Sequence, residues 1–261
     1  MEKVYTKEEL VAALKFIRNR GWICSAREGN CGGVGNTLED LLGIRENNLP
    51  IPNAAEWELK TQRLDCGSLT TLFHMEPSPT TFRFVSQILL PKYGWKHQQA
   101  GTKYPETEMS FRQTINAVLR TDRGFGLEVD HTERRVEVSF DACSVSAKHS
   151  SWKESVLRRI GLSELTPQPY WGFDDLYHKA GTKLHNCFFV QAAVRRINDC
   201  EEFWYEKLYM LQGFSFDKFI AAICKGTILV DFDARTGHNH GTKFRMREKR
   251  LPELYGNVDE F

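Results

Sequence analysis

The sequence predicts a mixed α/β fold with two lobes. Segments with apolar residues at helical spacing alternate with segments of strand-like alternation along all 261 residues. Neither an internal repeat nor a clear linker divides the chain. This length suffices for one large domain or two small lobes that share a core. We therefore expect a single domain, residues 1–261, made of two lobes.

The composition is typical of a folded protein without a membrane span. Hydrophobic residues are 41% and charged residues 26%, ordinary values for a globular chain. The net charge of +1 means that any basic surface must be local. Because no signal-peptide pattern and no bilayer-length apolar run is present, we expect a cytoplasmic protein.

The seven cysteines indicate free thiols. Their number is odd, and no two have Cys-x-x-Cys spacing. A structural zinc site or a disulfide framework is therefore not expected. Free thiols fit a reducing cytoplasm.

A helix is predicted at residues 6–20. Thr6 is a candidate N-cap, and Glu9 three positions later completes a capping box. Apolar residues then recur on one helix face until Gly21, which ends the segment.

The glycine-rich residues 30–36 predict a loop, after which Thr37 caps a short helix that ends at Gly43. Glycines of this kind can also cradle a phosphate. Because the Lys and Ser/Thr of a Walker loop are missing and no strand precedes the segment, nucleotide binding is disfavoured.

Further elements follow from alternation, apolar runs and turn residues. Strands are expected at residues 56–60, 68–75, 125–130, 134–141, 188–194, 203–210 and 228–233. Helices are expected near 82–89, at 172–183 and from 215 to 224. A polar turn at 61–67 joins the first two strands, and a hairpin turn at 131–133 joins the next two.

The strand at residues 56–60 carries the first chemical signal. Successive side chains of a strand alternate in direction, so Trp57 and Leu59 point to a core while Glu56, Glu58 and Lys60 share the other face. A carboxylate can hold Mg²⁺, and an ammonium can stabilise charge on a phosphate. This combination suits phosphodiester hydrolysis. The alternative is the solvated face of an ordinary amphipathic strand.

Six segments, in order along nearly the whole chain, extend this signal: Gly35–Gly43, Glu46–Asn48, Glu56–Lys60, Leu69–His74, Lys92–Gly94 and His238–Arg245. Together they resemble the MvaI/BcnI family of type II restriction endonucleases, which are relatives of the nicking enzyme MutH. The resemblance implies a restriction-endonuclease-like, MutH-like mixed sheet flanked by helices. It also implies a monomer that holds double-stranded DNA in a cleft between a catalytic lobe, centred on residues 1–75, and a recognition lobe drawn mainly from 76–261.

The resemblance also implies a magnesium-dependent site. The family pattern is Asp, four residues, Glu, one residue, Lys, and Glu58 and Lys60 match its last two positions. Asn53 stands at the Asp position, and Glu39 matches an auxiliary acidic residue of MutH-like sites. The expected catalytic residues are Asn53, Glu58, Lys60 and Glu39, and the expected metal ligands are Asn53, Glu58 and Leu59.

The Asn53 position leaves three interpretations open. An amide oxygen is a weaker Mg²⁺ ligand than a carboxylate, so cleavage should be severely slowed. We favour an inactivated variant of a restriction endonuclease. The second interpretation is a natural variant that recruits Glu56 or Glu39, and the third is a DNA-binding protein without catalysis. A MutH-like nicking enzyme is a further alternative for the activity.

The resemblance places the base-reading residues at His74, Asp231, Asp233, His238, His240 and Arg245. Arg245 can donate to guanine O6 and N7, and either aspartate can accept from cytosine N4. The family reads sites of the CC-x-GG kind, and the branch with a His at position 74 reads a central C or G.

Two alternatives concern the same region. His238 and His240, with Asp231 and Asp233, could instead form a zinc site. The cations Lys92, Lys96, Lys103 and Arg112 lie in or beside the least periodic region and are expected either to contact phosphates or to be solvated.

Overall fold

A computed structural model of the chain describes residues 5–25, 32–44, 57–64, 67 and 69–261. Within these residues the α-helices are α1 Lys7–Asn19, α2 Gly33–Leu42, α3 Ser150–Ile160, α4 Phe173–Leu184 and α5 Phe216–Cys224. A π-helix spans Val85–Tyr93, and short 3-10 turns lie at Thr80–Phe82, Ala147–His149 and Glu248–Leu254. None of the described helices is long and apolar enough to cross a membrane.

The described strands, in chain order, are β1 Ile23–Cys24, β2 Glu58–Arg63, β3 Leu69–His74, β4 Trp95–Lys96, β5 Met109–Ile115, β6 Arg123–Asp130, β7 Arg135–Val145, β8 Tyr170–Gly172, β9 Asn186–Ile197, β10 Cys200–Gln212, β11 Ile228–Arg235, β12 His238–Asn239, β13 Lys243–Arg247 and β14 Asn257–Glu260. Contacts divide the chain into two units. Unit 1 comprises Met1–Thr70, Ala180–Phe216 and Arg247–Phe261, and unit 2 comprises Thr71–Lys179 and Asp217–Met246.

The sheet of unit 1 is built around one long hairpin. Strands β9 and β10 pair antiparallel from Asn186↔Gln212 to Ile197↔Cys200. Asn198 and Asp199 form the turn and both have positive φ, the conformation that a tight two-residue hairpin requires and that Asn and Asp tolerate. β2 pairs parallel to β9, while β1 and β14 pair antiparallel with β10.

The core of unit 1 lies between α1, α2 and one face of this sheet. Trp57 and Leu59 are buried there with Leu10, Leu14 and Leu38, which confirms the predicted direction of the two strand residues. Burying each side chain of this size contributes about 1.5–3 kcal/mol. Helix α2 approaches β2 so closely that a Cβ at Gly35 would lie 2.9 Å from Thr61 Oγ1.

Unit 2 contains an amphipathic sheet of six strands. Its order is β3-β13-β11-β5-β4, with β12 paired to β11, and a separate three-stranded sheet has the order β6-β7-β8. Burial alternates along β11: Val230 and Phe232 are buried, whereas Asp231 and Asp233 are partly exposed. One face therefore packs inward and the other carries charged residues.

Most of the predicted elements are confirmed with small shifts of their ends. The capping box of α1 has both of its hydrogen bonds, from Glu9 N to Thr6 Oγ1 and from Thr6 N to Glu9 Oε2. The predicted hairpin is present as β6 and β7. The strands β9, β10 and β11 and the helices α4 and α5 lie where the periodicity placed them.

Three local predictions were wrong. Thr37 does not cap a helix: α2 begins at Gly33, and Thr37 is buried inside it. The predicted turn at 61–67 begins later, because β2 continues to Arg63 and pairs with β9 as far as Arg63↔Ala192. The helix expected near 82–89 is a π-helix at Val85–Tyr93 that contains Pro91, a residue without the N–H that a regular helix needs.

The expectation of free thiols was wrong for one pair. Cys24 on β1 and Cys200 at the start of β10 form a disulfide across 176 positions of sequence. No spacing rule predicts a bond over that separation, since it depends on the pairing of β1 with β10. Cys143, Cys187 and Cys224 are free among the described residues.

The capping box predicts a measurable stability effect. Thr6→Ala removes the acceptor of Glu9 N and should lower the free energy of unfolding by about 1 kcal/mol. Urea denaturation followed by circular dichroism checks this value. Thr6→Ser keeps the hydroxyl and should unfold at nearly the same urea concentration as the unchanged chain. Equal losses in both variants would contradict the capping role.

Candidate active site and base-reading face

Strand β2 presents a carboxylate and an ammonium on one face. Lys60 Nζ donates to Glu58 Oε1 at 2.8 Å. The two residues alternate with Trp57 and Leu59, whose side chains occupy the core on the other side of the strand. The predicted proximity of Glu58 and Lys60 is therefore confirmed.

The face is not solvated. Glu58 is only 5% exposed, and the Lys60 side chain is 13% exposed. Gln62, the next residue on this face, is also buried and accepts a hydrogen bond from Thr70 Oγ1. A buried carboxylate is costly unless it is paired, so an ordinary amphipathic strand does not account for this burial.

A second ammonium group faces the same carboxylate. Lys183 Nζ, near the end of α4, lies 3.4 Å from Glu58 Oε2, and its side chain is 14% exposed. Each oxygen of Glu58 thus faces one lysine. Lys183 is not apparent from the sequence, because 125 positions separate it from Glu58 and nothing local marks it.

Cys187 and Tyr255 complete the surroundings of Glu58 in unit 1. Cys187 is the register partner of Glu58 on β9. Its complete burial raises the pKa of the thiol to about 12, with Lys60 opposing and Glu58 adding to the shift. Burial also raises the pKa of Tyr255 well above its usual range, and the neighbouring Cys187 and Glu58 raise it further. Both shifts indicate a dry environment beside the carboxylate.

The other predicted site residues lie outside the described residues or away from the Glu58 face of β2. Asn53 and Glu56 lie outside the described residues. Glu39 is half-buried on α2, a helix that packs on the opposite face of β2 from Glu58. Leu59 is 7% exposed, with its side chain in the core. Among the described ranges, no group of three or more His, Cys, Asp or Glu side chains could hold a metal ion.

The open face of the six-stranded sheet in unit 2 brings the predicted readers of β11 and β13 together. Asp231 accepts from Thr114 Oγ1 at 2.9 Å through one oxygen and from Arg245 Nη1 at 3.0 Å through the other. The side chains of Asp231 and Arg245 are 14% and 26% exposed. Asp231 thus holds the Arg245 guanidinium in a fixed direction.

Asp233 forms a second ionic group on the same face. Its Oδ1 lies 3.5 Å from Arg112 Nε on β5, and its Oδ2 lies 3.9 Å from Lys243 Nζ on β13. These are longer separations than the Asp231–Arg245 contact. Arg112 is not among the predicted base-reading residues, because its cross-strand pairing with Asp233 is not visible in the linear sequence.

The histidines lie at the turn that follows β11. The rings of His238 and His240 are 4.2 Å apart between centroids, and both residues are exposed. Glu76 holds the end of this turn by accepting from the main-chain N of Thr242 at 2.9 Å. His74 Cδ2 would lie 3.3 Å from a Cβ at Gly241, so His74 belongs to the same surface.

The zinc alternative is contradicted for this group. His238, His240, Asp231 and Asp233 all lie within the described ranges, where no metal-binding group is found. Asp231 uses both of its oxygens for Thr114 and Arg245.

A cavity of about 590 Å³ adjoins this face within unit 2. Its lining includes Trp95, His97, Tyr104, Arg112, Asp233 and His240. Arg235, also in the lining, stacks on Tyr104 at 4.6 Å and is paired with Glu108 at 3.1 Å. Predicted readers and unassigned polar residues therefore share one concave surface.

A mixed sheet packed against helices, with Glu58 and Lys60 paired at low exposure on one strand, fits a fold of the restriction-endonuclease class. The chain belongs to the MvaI/BcnI restriction endonuclease family, whose model matches residues 11–255. It is accordingly a site-specific deoxyribonuclease by family and fold.

The solved structures that are similar to this chain include two of the restriction endonuclease MvaI. The first, described as a restriction endonuclease MvaI–cognate DNA substrate complex, has 25% sequence identity and a TM-score of 0.77 and covers 98% of this chain and 99% of that chain. The second, restriction endonuclease MvaI in the absence of DNA, has 23% identity and a TM-score of 0.54 and covers 100% of this chain and 99% of that chain. No curated protein matches the sequence.

The dry environment of Cys187 predicts a difference in thiol reactivity. The thiolate is the reactive form, and a pKa of about 12 leaves almost none of it at pH 8. Iodoacetamide at pH 8 should label the exposed Cys143 and Cys224 quickly and should label Cys187 only after unfolding in urea. Peptide mass spectrometry measures each rate. Rapid labelling of Cys187 in the folded chain would show that water reaches the carboxylate.

Proposed function

We propose that this chain is a magnesium-dependent type II endonuclease that hydrolyses double-stranded DNA at a short GC-rich site of the CC-x-GG kind. The observation that carries the proposal is the buried Glu58–Lys60 pair, in which each oxygen of Glu58 faces an ammonium group. A protein keeps a charged cluster of this kind at low exposure mainly where the charge is used. The similar MvaI structure with cognate DNA supports double-stranded DNA as the partner.

The donor chemistry at β2 fits a hard divalent cation. Mg²⁺ binds oxygen ligands, usually one or two protein carboxylates together with water and phosphate oxygens. Glu58 supplies one carboxylate, and we assign the main-chain carbonyl oxygen of Leu59 and the side chain at the Asn53 position as the other protein ligands. When bound, the metal supplies Lewis-acid stabilisation of charge on the phosphate.

The lysines have distinct roles in this proposal. Lys60, 2.8 Å from Glu58, orients the attacking water and stabilises charge that develops on the phosphate. Lys183 is a positioning residue, because it faces the other oxygen of Glu58 and so fixes the direction of the carboxylate. The burial around Cys187 lowers the local dielectric, which strengthens both interactions.

Asn53 reduces the rate in this proposal without removing the site. The family pattern places an aspartate there, and an amide contributes no negative charge to a metal ligand set. Glu56, expected on the same strand face as Glu58, is the carboxylate proposed to compensate. A chain that binds DNA specifically but does not cut it is therefore the second candidate function, and Asn53 is the observation that favours it.

Base reading is assigned to unit 2. We propose that Arg245 reads a guanine, with Asp231 fixing its direction at 3.0 Å. Asp233, His74, His238 and His240 contribute further contacts from the same surface, and His74 selects a central C or G. The chain acts as a monomer in this proposal, with unit 1 carrying out the cleavage.

The cleavage chemistry is tested by comparing this chain with Asn53→Asp on plasmid DNA in the presence of Mg²⁺. Restoring the carboxylate should raise the cleavage rate by about two orders of magnitude or more, since one interaction in a catalytic site contributes about 2.7–4 kcal/mol. Sequencing of the fragment ends identifies the site. Nicked circles as the final product would favour the MutH-like alternative.

The matched controls are Glu58→Gln and Lys60→Met in the Asn53→Asp background. Each should abolish cleavage while specific DNA binding survives, and circular dichroism verifies folding. Retained cutting by either variant would refute the site assignment. Specific binding without cutting by every form, Asn53→Asp included, would establish the non-catalytic candidate.

Arg245→Ala should weaken binding of the cognate duplex by about 1–3 kcal/mol and relax the preference for one guanine. Fluorescence anisotropy with the cognate duplex and with single base-pair replacements measures both effects. Binding by the unchanged chain should also weaken steeply with salt, because phosphate contacts release counterions. An unchanged site preference in Arg245→Ala would remove Arg245 from the readers.

A further inference from the structure

We propose that Arg112 is a specificity-determining residue that, with Asp233, reads one C·G base pair. This inference rests on the proposed function, because it assigns a further contact to the same base-reading face. It changes the expectation drawn from the sequence, in which Arg112 either contacts a phosphate or is solvated.

The open face of the sheet carries two acid–arginine couples centred on β11. Asp231 pairs with Arg245 of β13 at 3.0 Å, and Asp233 pairs with Arg112 of β5 at 3.5 Å. The strands β13 and β5 flank β11 on opposite sides. Each couple therefore places a guanidinium beside a carboxylate, with one arginine on each side of the central strand.

A C·G base pair displays the complement of such a couple in the major groove. Guanine offers the acceptors O6 and N7, and cytosine offers the N4 donor. A guanidinium can donate to the first base while the adjacent carboxylate accepts from the second. Asp233 and Arg112 are direct register partners on neighbouring strands, so both groups reach the surface at the same level of the sheet.

The spacing of the two couples matches the spacing of bases. Two residues along an extended strand span about 6.6 Å. Two steps along one DNA strand span about 6.8 Å. Asp231 and Asp233 are two positions apart on β11, so the couples can face base pairs separated by one intervening pair. In a site of the CC-x-GG kind, the pairs on either side of the central position have this separation.

The exposure of the two couples differs in a way that suits Arg112 for direct contact. The Arg112 side chain is 75% exposed, whereas that of Arg245 is 26% exposed. Arg112 approaches Asp233 through Nε at 3.5 Å, and its guanidinium has further N–H donors on the two Nη atoms. Both Arg112 and Asp233 line the cavity of about 590 Å³ on this face. A partner entering the cavity meets the guanidinium and the carboxylate together.

The test separates base reading from a phosphate contact. The probes are duplexes that contain the CC-x-GG-type site identified by cleavage, with a single guanine replaced by 7-deazaguanine, which lacks the N7 acceptor. Binding is measured by fluorescence anisotropy without divalent metal, so that no duplex is cut. For the unchanged chain, replacement at the guanine read by Arg112 should weaken binding roughly 5- to 150-fold.

Arg112→Ala should bind the unmodified duplex more weakly by a similar factor. Its affinity should then be insensitive to 7-deazaguanine at that one position. The affinity of Arg245→Ala should instead be insensitive to 7-deazaguanine at a different guanine. Because Arg112 is exposed, its replacement should leave the fold unchanged, and Arg112→Lys should recover part of the affinity. The matched control is Arg250→Ala, which removes another partly exposed arginine in an ion pair, with Glu253, and should bind as the unchanged chain does.

Two results would overturn the inference while leaving the proposed function intact. The first is an equal loss by Arg112→Ala on every duplex, cognate or not, which would assign Arg112 to a phosphate. The second is an unchanged affinity for the cognate duplex. Failure of the unchanged chain to prefer any duplex would instead overturn the proposed function, and the inference with it.

Discussion

The buried carboxylate of Glu58 is the constraint on which the rest of unit 1 depends. A charge at 5% exposure is tolerated only with opposite charges close by, and Lys60 and Lys183 supply them at 2.8 and 3.4 Å. Lys60 comes from the same strand, but Lys183 comes from α4, whose end leads directly into β9. The parallel pairing of β2 with β9 therefore brings the second lysine to the carboxylate. Packing of α2 and of Trp57 on the other face of β2 keeps that strand in register.

The charged residues of unit 2 lie in a different environment from that of Glu58. The Asp233–Arg112 couple lies on an open sheet face with Arg112 75% exposed, and an ion pair there contributes little because water screens it. Exchanging such a pair for a base contact therefore costs little. At Glu58 the pairing is buried, and breaking it by removing one partner is expensive. In the proposed function, the same residue types thus serve cleavage in unit 1, where they must not move, and base reading in unit 2, where they must change partners.

The elements that sequence patterns predicted are those whose determinants are local. The capping box of α1 lies within four residues, the β6–β7 hairpin within two short strands, and the polar–apolar alternation of β11 within eight residues. The features that sequence patterns did not predict depend on pairing between distant segments: Lys183 beside Glu58, Arg112 beside Asp233, and the disulfide between Cys24 and Cys200. Thr37 shows the same limit, since its preference for a cap is overridden by a helix that begins four residues earlier and packs on β2.

Each acid–arginine couple adds no net charge to the proposed base-reading face. A purely basic face would bind every phosphate backbone and gain affinity through counterion release, whatever the sequence. Carboxylates placed beside the arginines reduce this sequence-independent affinity for the phosphate backbone. Under the proposed base reading they also add discrimination, because a base that presents an acceptor to Asp233 instead of the cytosine N4 donor leaves two acceptors facing each other. A chain of net charge +1 can therefore select a short site through the arrangement of its charges.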